Sequence, residues 1–270
     1  IMSKLSEKAA RSLAALREKK PLIHNITNFV AMNYTANALL AMGASPMMAH
    51  AENEVKELVS SASALVLNIG TPSKARIAAM IIAGKKATAL NMPIVLDPVG
   101  SGTGSFRTSS AAWIIDQTRV SVIRGNASEI LSLHRSDIKI KGIDAVHSVD
   151  EAAEIAGILA GEIQATLAIT GPEDLVTDGD RTIRVRNGHP LMGYVTGTGC
   201  VSTATIGAFL TVEDDLVSAT AAALAFLGLA GEKAAEKAAA PGRFKSALID
   251  ALYTITPADL EIGARFKECF

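Results

Sequence analysis

The sequence predicts an α/β fold with a mostly parallel central sheet and helices on both faces. Three observations lead to this fold class. Short apolar runs alternate with longer helical segments through the first two thirds of the chain, a turn signal between two short runs predicts an edge hairpin, and the C-terminal third is almost entirely helical. No linker or internal repeat interrupts this order, so we expect residues 1–270 to form a single domain.

The predicted strands are short and rich in branched apolar residues. The run Ala-Leu-Val-Leu-Asn-Ile is typical of a strand that is buried on both faces of a parallel sheet. Asp178-Gly179-Asp180-Arg181 separates the two runs of the predicted hairpin. The stretch 22–28 mixes polar and apolar residues, and we interpret it as a loop. The predicted strands cover residues 44–48, 64–69, 93–96, 120–123, 165–169, 174–177 and 182–185.

Periodic apolar positions predict helices between and after these strands. The periodicity is clear over residues 4–19, and Pro21 ends that helix. Residues 134–147 lack this periodicity and are expected to form a loop. The apolar stretch 219–230 is too short to span a bilayer. The other predicted helices cover residues 29–42, 52–62, 73–90, 109–117, 127–133, 148–161, 201–210, 214–239 and 242–254.

The composition argues against several functional classes. The net charge is −1 and there is no long basic run, so neither nucleic acid nor a membrane surface is an expected partner. Cys200 and Cys269 show no disulfide or zinc-ligand spacing, which favours a reducing, cytoplasmic location. We expect Cys269 to lie in a mobile tail. The N-terminal residues predict a charged helix rather than a targeting segment.

A glycine-containing turn directly before the predicted helix 201–210 is the strongest chemical signal. The turn is Val195-Thr196-Gly197-Thr198-Gly199-Cys200. Glycines let the backbone approach a ligand, and the unpaired N–H groups of the first helical turn favour an anion. Cys200 is expected on that first turn, where the pKa of a thiol tends to fall. A plain tight turn with a small buried cysteine would give the same pattern.

Polar residues follow the predicted strands at the edge where α/β proteins bind ligands. Two carboxylates and an arginine beside a helix N-terminus suit a polyphosphate with its Mg²⁺. Each residue taken singly also fits a turn, a helix cap or an ion pair, so their shared placement carries the prediction. The P-loop and G-x-G-x-x-G patterns are missing, which argues against a Rossmann oxidoreductase. The residues gathered there are Asp97, Arg124, Asn126, Glu129 and Thr170.

Several stretches resemble the hydroxyethylthiazole kinase family of the ribokinase-like superfamily. Asn126-Ala127-Ser128-Glu129 matches the N-x-x-E magnesium motif of the superfamily, and Gly197-Thr198-Gly199 matches its anion hole. Residues 134–147 and those beyond 240 match less well. The family-specific stretches are PLIHNITNFV (21–30), GASPMMAHAENEV (43–55), ALVLNIGTPS (64–73), PIVLDPVGSG (93–102), RGNASEI (124–130), AITG (168–171) and VTGTGC (195–200).

The resemblance implies a ribokinase-like fold and a specific reaction. ATP would phosphorylate the hydroxyethyl alcohol of 4-methyl-5-(2-hydroxyethyl)thiazole, in thiamine biosynthesis or salvage. It also implies a homotrimer with active sites between subunits. The implied residues are Asp97 and Glu129 for Mg²⁺, Arg124, Thr170 and Asn126 for ATP, Met48, Gly197, Asn25 and Val30 for the thiazole, and Cys200, Gly197 and Gly199 for catalysis.

Cys200 stands where related sugar and pyrimidine kinases carry an aspartate base. Because a loose phosphoryl-transfer transition state needs little early deprotonation, we expect Cys200 to help modestly, by positioning the alcohol or by late proton removal. Three alternatives remain open: a kinase of the same fold for hydroxymethylpyrimidine or a sugar, a nucleotide-sensing regulator without turnover, and a structural oligomerisation module. The apolar, sulfur-containing stretch 44–48 favours an aromatic ring over a sugar.

Overall fold

The computed structural model describes residues 4–134 and 149–269, and these contain a nine-stranded sheet. The strands are Leu22–Ile26 (β1), Ser45–Met47 (β2), Ala64–Asn68 (β3), Ile94–Asp97 (β4), Val122–Gly125 (β5), Thr166–Ile169 (β6), Asp174–Thr177 (β7), Thr182–Val185 (β8) and Phe266–Cys269 (β9). Their order in the sheet is β2-β1-β3-β4-β5-β6-β7-β8-β9. The five pairings from β2 to β6 are parallel and the last three are antiparallel, which confirms the predicted fold class.

Helices cover both faces of this sheet, as predicted. Successive residues of β3 point to opposite faces, so Val66 joins one apolar cluster and Leu67 the other. The described helices are Lys4–Lys19 (α1), Met32–Met42 (α2), Val55–Leu58 (α3), Lys74–Ala89 (α4), Ser105–Gln117 (α5), Ala127–Leu131 (α6), Val149–Ile163 (α7), Thr198–Phe209 (α8), Leu216–Lys237 (α9), Pro241–Thr254 (α10) and Pro257–Gly263 (α11). The predicted loop at 134–147 lies, apart from His134, outside the described residues.

The stretch 22–28 contains a strand, so its interpretation as a loop is wrong. β1 lies between β2 and β3 and pairs in parallel with both. Its polar side chains are fully buried but bonded to the backbone: His24 Nε2 lies 2.9 Å from the Ala49 carbonyl oxygen, and Asn25 Nδ2 donates to the Ile23 carbonyl at 2.8 Å. These hydrogen bonds offset the cost of burying polar groups, which a sequence pattern does not reveal.

The C-terminal residues form structure that the sequence pattern did not predict. Cys269 belongs to β9, which pairs with β8, so Cys269 is not in a mobile tail and the β7–β8 hairpin is not the sheet edge. Asn187 fixes the approach to β9, because its Oδ1 accepts from Arg265 N at 2.8 Å and its Nδ2 donates to the Gly263 carbonyl at 2.9 Å. From Thr198 onward, β9 is therefore the only strand among the described residues.

Helix α9 lies within the predicted helix 214–239 and contains the apolar stretch 219–230. It has 22 residues, and among the described helices it is the one whose length and composition would suffice to cross a membrane. Within the fold, 83% of the most apolar 18-residue stretch of this helix is buried. Its packing is therefore that of a core helix, which lies against α8 and α10.

Candidate active site

Asp97 lies at the centre of the site, at the carboxyl end of β4. It is fully buried, and its Oδ2 accepts from Asn68 Nδ2 at 2.7 Å and from Thr203 Oγ1 at 2.8 Å. Its Oδ1 has no hydrogen-bond partner among the described residues. Burial raises the pKa of Asp97 to about 6, although the Arg124 charge and the two hydrogen bonds oppose this rise. Asp97 thus keeps one free oxygen at the strand end.

Arg124 connects Asp97 to the next strand end. Its Nη1 lies 3.7 Å from Asp97 Oδ2, and its Nη2 donates to Thr170 Oγ1 at 2.6 Å. Gly199 lies directly against the guanidinium, because a Cβ atom at that position would be 2.7 Å from Nη1. The structure therefore brings together Asp97, Arg124, Thr170 and Gly199, which the sequence analysis expected at the same edge of the sheet.

The glycine-containing turn forms the start of α8. Gly197 is the N-cap residue in the left-handed region, with φ of 96°, and no side chain caps this end. The helix begins at Thr198, three residues earlier than predicted, since the left-handed glycine makes the turn by itself. Gly199 and Cys200 consequently lie inside the first turn. Because Thr198 N donates to the Val195 carbonyl at 3.3 Å, the N–H groups of this turn that face an anion would be those of Gly199 and Cys200.

The surroundings of Cys200 oppose the expected fall in its pKa. Burial raises the pKa of the thiol and the Asp97 carboxylate raises it further, whereas amide donors and Arg124 oppose them. The amide donors are Asn28 Nδ2 at 3.1 Å and Asn68 Nδ2 at 3.4 Å from Sγ. Burial and the neighbouring anion outweigh the amide donors and Arg124, so the expectation of a lowered pKa is wrong and the thiol keeps its proton near neutral pH.

Asn126 and Glu129 form a capping box at the start of α6. Asn126 Oδ1 accepts from Glu129 N at 2.8 Å, and Glu129 Oε2 accepts from Asn126 N at 2.9 Å. Glu129 Oε1 also accepts from Gly100 N at 2.8 Å. Glu129 therefore fastens the loop after β4 to α6 and keeps its carboxylate at the strand ends.

The donor set fits a magnesium ion that is bound largely through water and phosphate. No cluster of three or more His, Cys, Asp or Glu side chains occurs in residues 4–134 and 149–269. Asp97 Oδ1 is, however, a buried carboxylate oxygen without a partner, and Glu129 faces the same region. Mg²⁺ is usually held by one or two carboxylates with substrate phosphates and water completing its shell.

The residues expected at the thiazole are spread more widely. Val30 is 64% exposed, Met48 packs against the core cluster, and Asn25 is buried with an unpartnered Oδ1. No hydrogen bond among the described residues joins these side chains to Cys200. Asn28, which the sequence analysis did not select, contacts Cys200 directly; its position within the family-specific stretch 21–30 was the available signal.

A cavity of about 570 Å³ opens beside Arg124 and Thr170. The first turn of α8 lines it at one end, and apolar residues of α9 line it elsewhere. Several lining residues come from the segment after β6, where the sequence analysis found no motif. They include Asp174, Asn187, His189 and Met192.

The fold and this site define a ribokinase-like phosphotransferase. The pyridoxal kinase of Staphylococcus aureus, solved in complex with ADP, shares the fold with a TM-score of 0.61 and 18% identity, covering 79% of this chain and 88% of that one. The model of the hydroxyethylthiazole kinase family matches residues 13–258. The chain belongs to the hydroxyethylthiazole kinase family and is therefore a kinase.

Similar proteins span almost the whole chain. A hydroxyethylthiazole kinase of Desulfotalea psychrophila is 58% identical over 267 residues, which are 99% of this chain and 98% of that protein. One from Desulfosudis oleivorans is 51% identical over 94% of this chain and 93% of that protein. The solved structure of a hydroxyethylthiazole kinase protein from Pyrococcus horikoshii has a TM-score of 0.89 and 44% identity, covering 97% of this chain and 99% of that one.

Proposed function

We propose that the protein transfers the γ-phosphoryl group of ATP to the hydroxyethyl alcohol of 4-methyl-5-(2-hydroxyethyl)thiazole, in thiamine biosynthesis or salvage. The single observation that carries this proposal is the contact chain Asp97–Arg124–Thr170 at the open start of α8, next to the 570 Å³ cavity. The names of the 58% and 51% identical relatives support the choice of acceptor.

In this proposal the cavity holds ATP, with its phosphates at the end that Arg124 lines. Phosphoryl transfer depends mainly on positioning and on neutralising negative charge. Arg124 supplies a cation whose direction is set by Thr170 on one side and by Gly199 on the other. The N–H groups of the first turn of α8 supply further donors to the moving phosphoryl group. Asn126, which also lines the cavity, faces the phosphates from α6.

Asp97 and Glu129 would hold Mg²⁺ together with the phosphates. The bound ion would supply positive charge to the transferring group. Asn68 and Thr203 occupy Asp97 Oδ2 and leave Oδ1 free, so they determine which carboxylate oxygen faces the ligand. Glu129 holds the loop after β4 in place through Gly100.

Cys200 would position the acceptor alcohol rather than act as a strong base. Its thiol is neutral because burial and Asp97 raise its pKa. Asn28 and Asn68 direct amide N–H groups at Sγ, so the thiol hydrogen remains free to contact a substrate oxygen. Late proton removal is sufficient for a transition state in which bond formation to the alcohol lags behind bond cleavage.

The thiazole would bind near Met48, Asn25, Val30 and Gly197, at a contact between subunits of a cytoplasmic homotrimer. Phe29 and Val30 are 61% and 64% exposed, and the segment that carries them packs against the start of α8, since Gly197 lies against Ala31. Exposed apolar side chains beside a site favour a protein contact there. Light scattering coupled to size-exclusion chromatography should give a mass three times that of the chain, and a monomeric mass would contradict the trimer.

A coupled ADP-release assay tests the activity. With Mg²⁺ and ATP, we expect turnover with the thiazole alcohol to exceed that with hydroxymethylpyrimidine, simple sugars or no acceptor. Asp97→Asn should remove most of this turnover, whereas Asp180→Asn, at the exposed hairpin turn, makes the same charge change without touching the site. Equal turnover with a sugar, or none with the thiazole alcohol, would contradict the proposal.

A further inference from the structure

Asp174 is a carboxylate that the phosphoryl-transfer chemistry does not use. It begins β7 and is the one acidic residue among the described residues that line the 570 Å³ cavity. Its Oδ1 accepts from Gly171 N at 3.0 Å, and no donor among the described residues reaches its Oδ2. One carboxylate oxygen is thus held by the backbone while the other is available to a ligand in the cavity.

The sheet places Asp174 between the two ends of the cavity. On one side β7 pairs with β6, and the last pair, Ile169 with Leu175, puts Asp174 beside Thr170, about one strand spacing, roughly 4.8 Å, from the carboxyl end of β6. On the other side Asp174 pairs with Val185 in β8, and that strand leads to the lining residues 187–193. Asp174 therefore lies between the arginine end of the cavity and the lining residues that follow β8.

Other polar side chains in this part of the lining already have partners. Both polar atoms of the Asn187 side chain bond to the backbone of residues 263–265, and His189 Nδ1 accepts from Leu191 N at 3.2 Å. Burial raises the pKa of Asp174 to about 7, with the Gly171 N–H and the Arg124 charge acting in the opposite direction. The carboxylate consequently has fewer donors among the described residues than its charge requires.

We propose that Asp174 selects the nucleotide by accepting hydrogen bonds from its ribose hydroxyl groups. The inference rests on the proposed function, since the nucleotide in question is ATP. The ribose is the part of ATP between phosphates and base, and its hydroxyl groups are donors that a carboxylate accepts, as in dinucleotide-binding sites. Phosphate oxygens are acceptors and do not pair with an ionised carboxylate. The remaining donor on ATP is the amino group of the base.

The test compares nucleotides in matched variants. Steady-state KM values are measured for ATP, 2′-deoxyATP, 3′-deoxyATP and ITP with the unchanged protein, Asp174→Asn, Asp174→Ala and the control Asp180→Asn. We expect the unchanged protein and the control to show a KM for at least one deoxynucleotide roughly 10- to 100-fold above that for ATP. In Asp174→Ala the KM for ATP should rise to the deoxynucleotide value, so that the ratio falls to about one.

A purely structural role for Asp174 would weaken all four nucleotides equally and leave these ratios unchanged, which would overturn the proposal. If the variants instead lose the preference for ATP over ITP and keep the preference for ATP over the deoxynucleotides, Asp174 contacts the base. That result would also overturn the proposal. If Asp174→Ala fails to fold, Asp174→Asn provides the same ratios, because it keeps the size of the side chain. Failure of the proposed function is distinguishable, since equilibrium binding of ADP and 2′-deoxyADP measures the same discrimination without turnover.

Discussion

Replacing Gly199 with alanine should raise the stability of the protein and lower its activity. A Cβ atom at Gly199 would lie 2.7 Å from Arg124 Nη1, whereas ordinary contact begins at 3.4 Å, so the guanidinium must move by about 0.7 Å. That movement disturbs the 2.6 Å hydrogen bond to Thr170 and the approach to Asp97. Misplacing a charge-stabilising group by about 1 Å lowers kcat/KM by roughly 100-fold.

The stability effect has the opposite sign because Gly199 lies within helix α8. Replacing glycine by alanine in a helix gains at most about 1 kcal/mol, and Arg124 is a flexible side chain that can move without disturbing the core. Gly161→Ala is the matched control, since Gly161 lies in α7 with nothing within 4 Å of the added Cβ.

The assay combines ADP-release kinetics with thermal unfolding. Gly161→Ala should raise the melting temperature slightly and leave kcat/KM unchanged, whereas Gly199→Ala should raise the melting temperature by a similarly small amount and lower kcat/KM by roughly 10- to 100-fold. A Gly199→Ala protein with kcat/KM within twofold of the unchanged protein would refute the close approach of Arg124 as a functional requirement. Loss of both activity and stability would refute the argument that only the guanidinium moves.

Further predictions concern the groups around Asp97 and the C-terminal contacts. Because burial raises the pKa of Asp97 to about 6 while Thr203 opposes this, Thr203→Val should move the acidic limb of the kcat/KM profile to higher pH; an unmoved limb would contradict the assignment. Cys200→Asp should keep or raise kcat, and a collapse by several orders of magnitude would make the thiol essential. Asp97→Asn or Glu129→Gln should cost more than Cys200→Ala, and equally mild losses in all three would contradict the dominance of charge stabilisation. Asn187→Ala should lower the free energy of unfolding by roughly 2–3 kcal/mol, seen as a melting temperature about 5–10 °C lower, because its buried bonds hold the approach to β9.

The sequence predicted those elements whose signal lies within the element itself. The hairpin strands Asp174–Thr177 and Thr182–Val185 match their predicted bounds, because turn chemistry and alternation are local. β1 and β9 were not predicted, because each depends on contacts with residues that are distant in the sequence. β1 carries the buried His24, whose backbone partner Ala49 is distant along the chain, and β9 pairs Cys269 with Thr182, which is also distant along the chain.

The residues of the site also divide into those that the sequence predicted and those that only the tertiary structure revealed. The parallel strand order predicted which edge would gather Asp97, Arg124 and Thr170, since the carboxyl ends of parallel strands meet there. The sequence pointed to Asn68 through its place at a strand end, but it did not identify Asn28 or Asp174, because an amide or a carboxylate becomes functional only through the atoms it faces. The single-domain expectation stays a prediction, which the continuous nine-stranded sheet supports.

The sequence by itself determined the fold class, the carboxyl-edge location of the site and the glycines that open α8. These follow from periodicity, strand direction and backbone freedom, all of which are local properties of the chain. Only the tertiary structure decided the state of Cys200. A helix terminus lowers the pKa of a thiol, but burial and the Asp97 carboxylate raise it, and the balance depends on neighbours from strands β3, β4 and β5 and from the loop after β1.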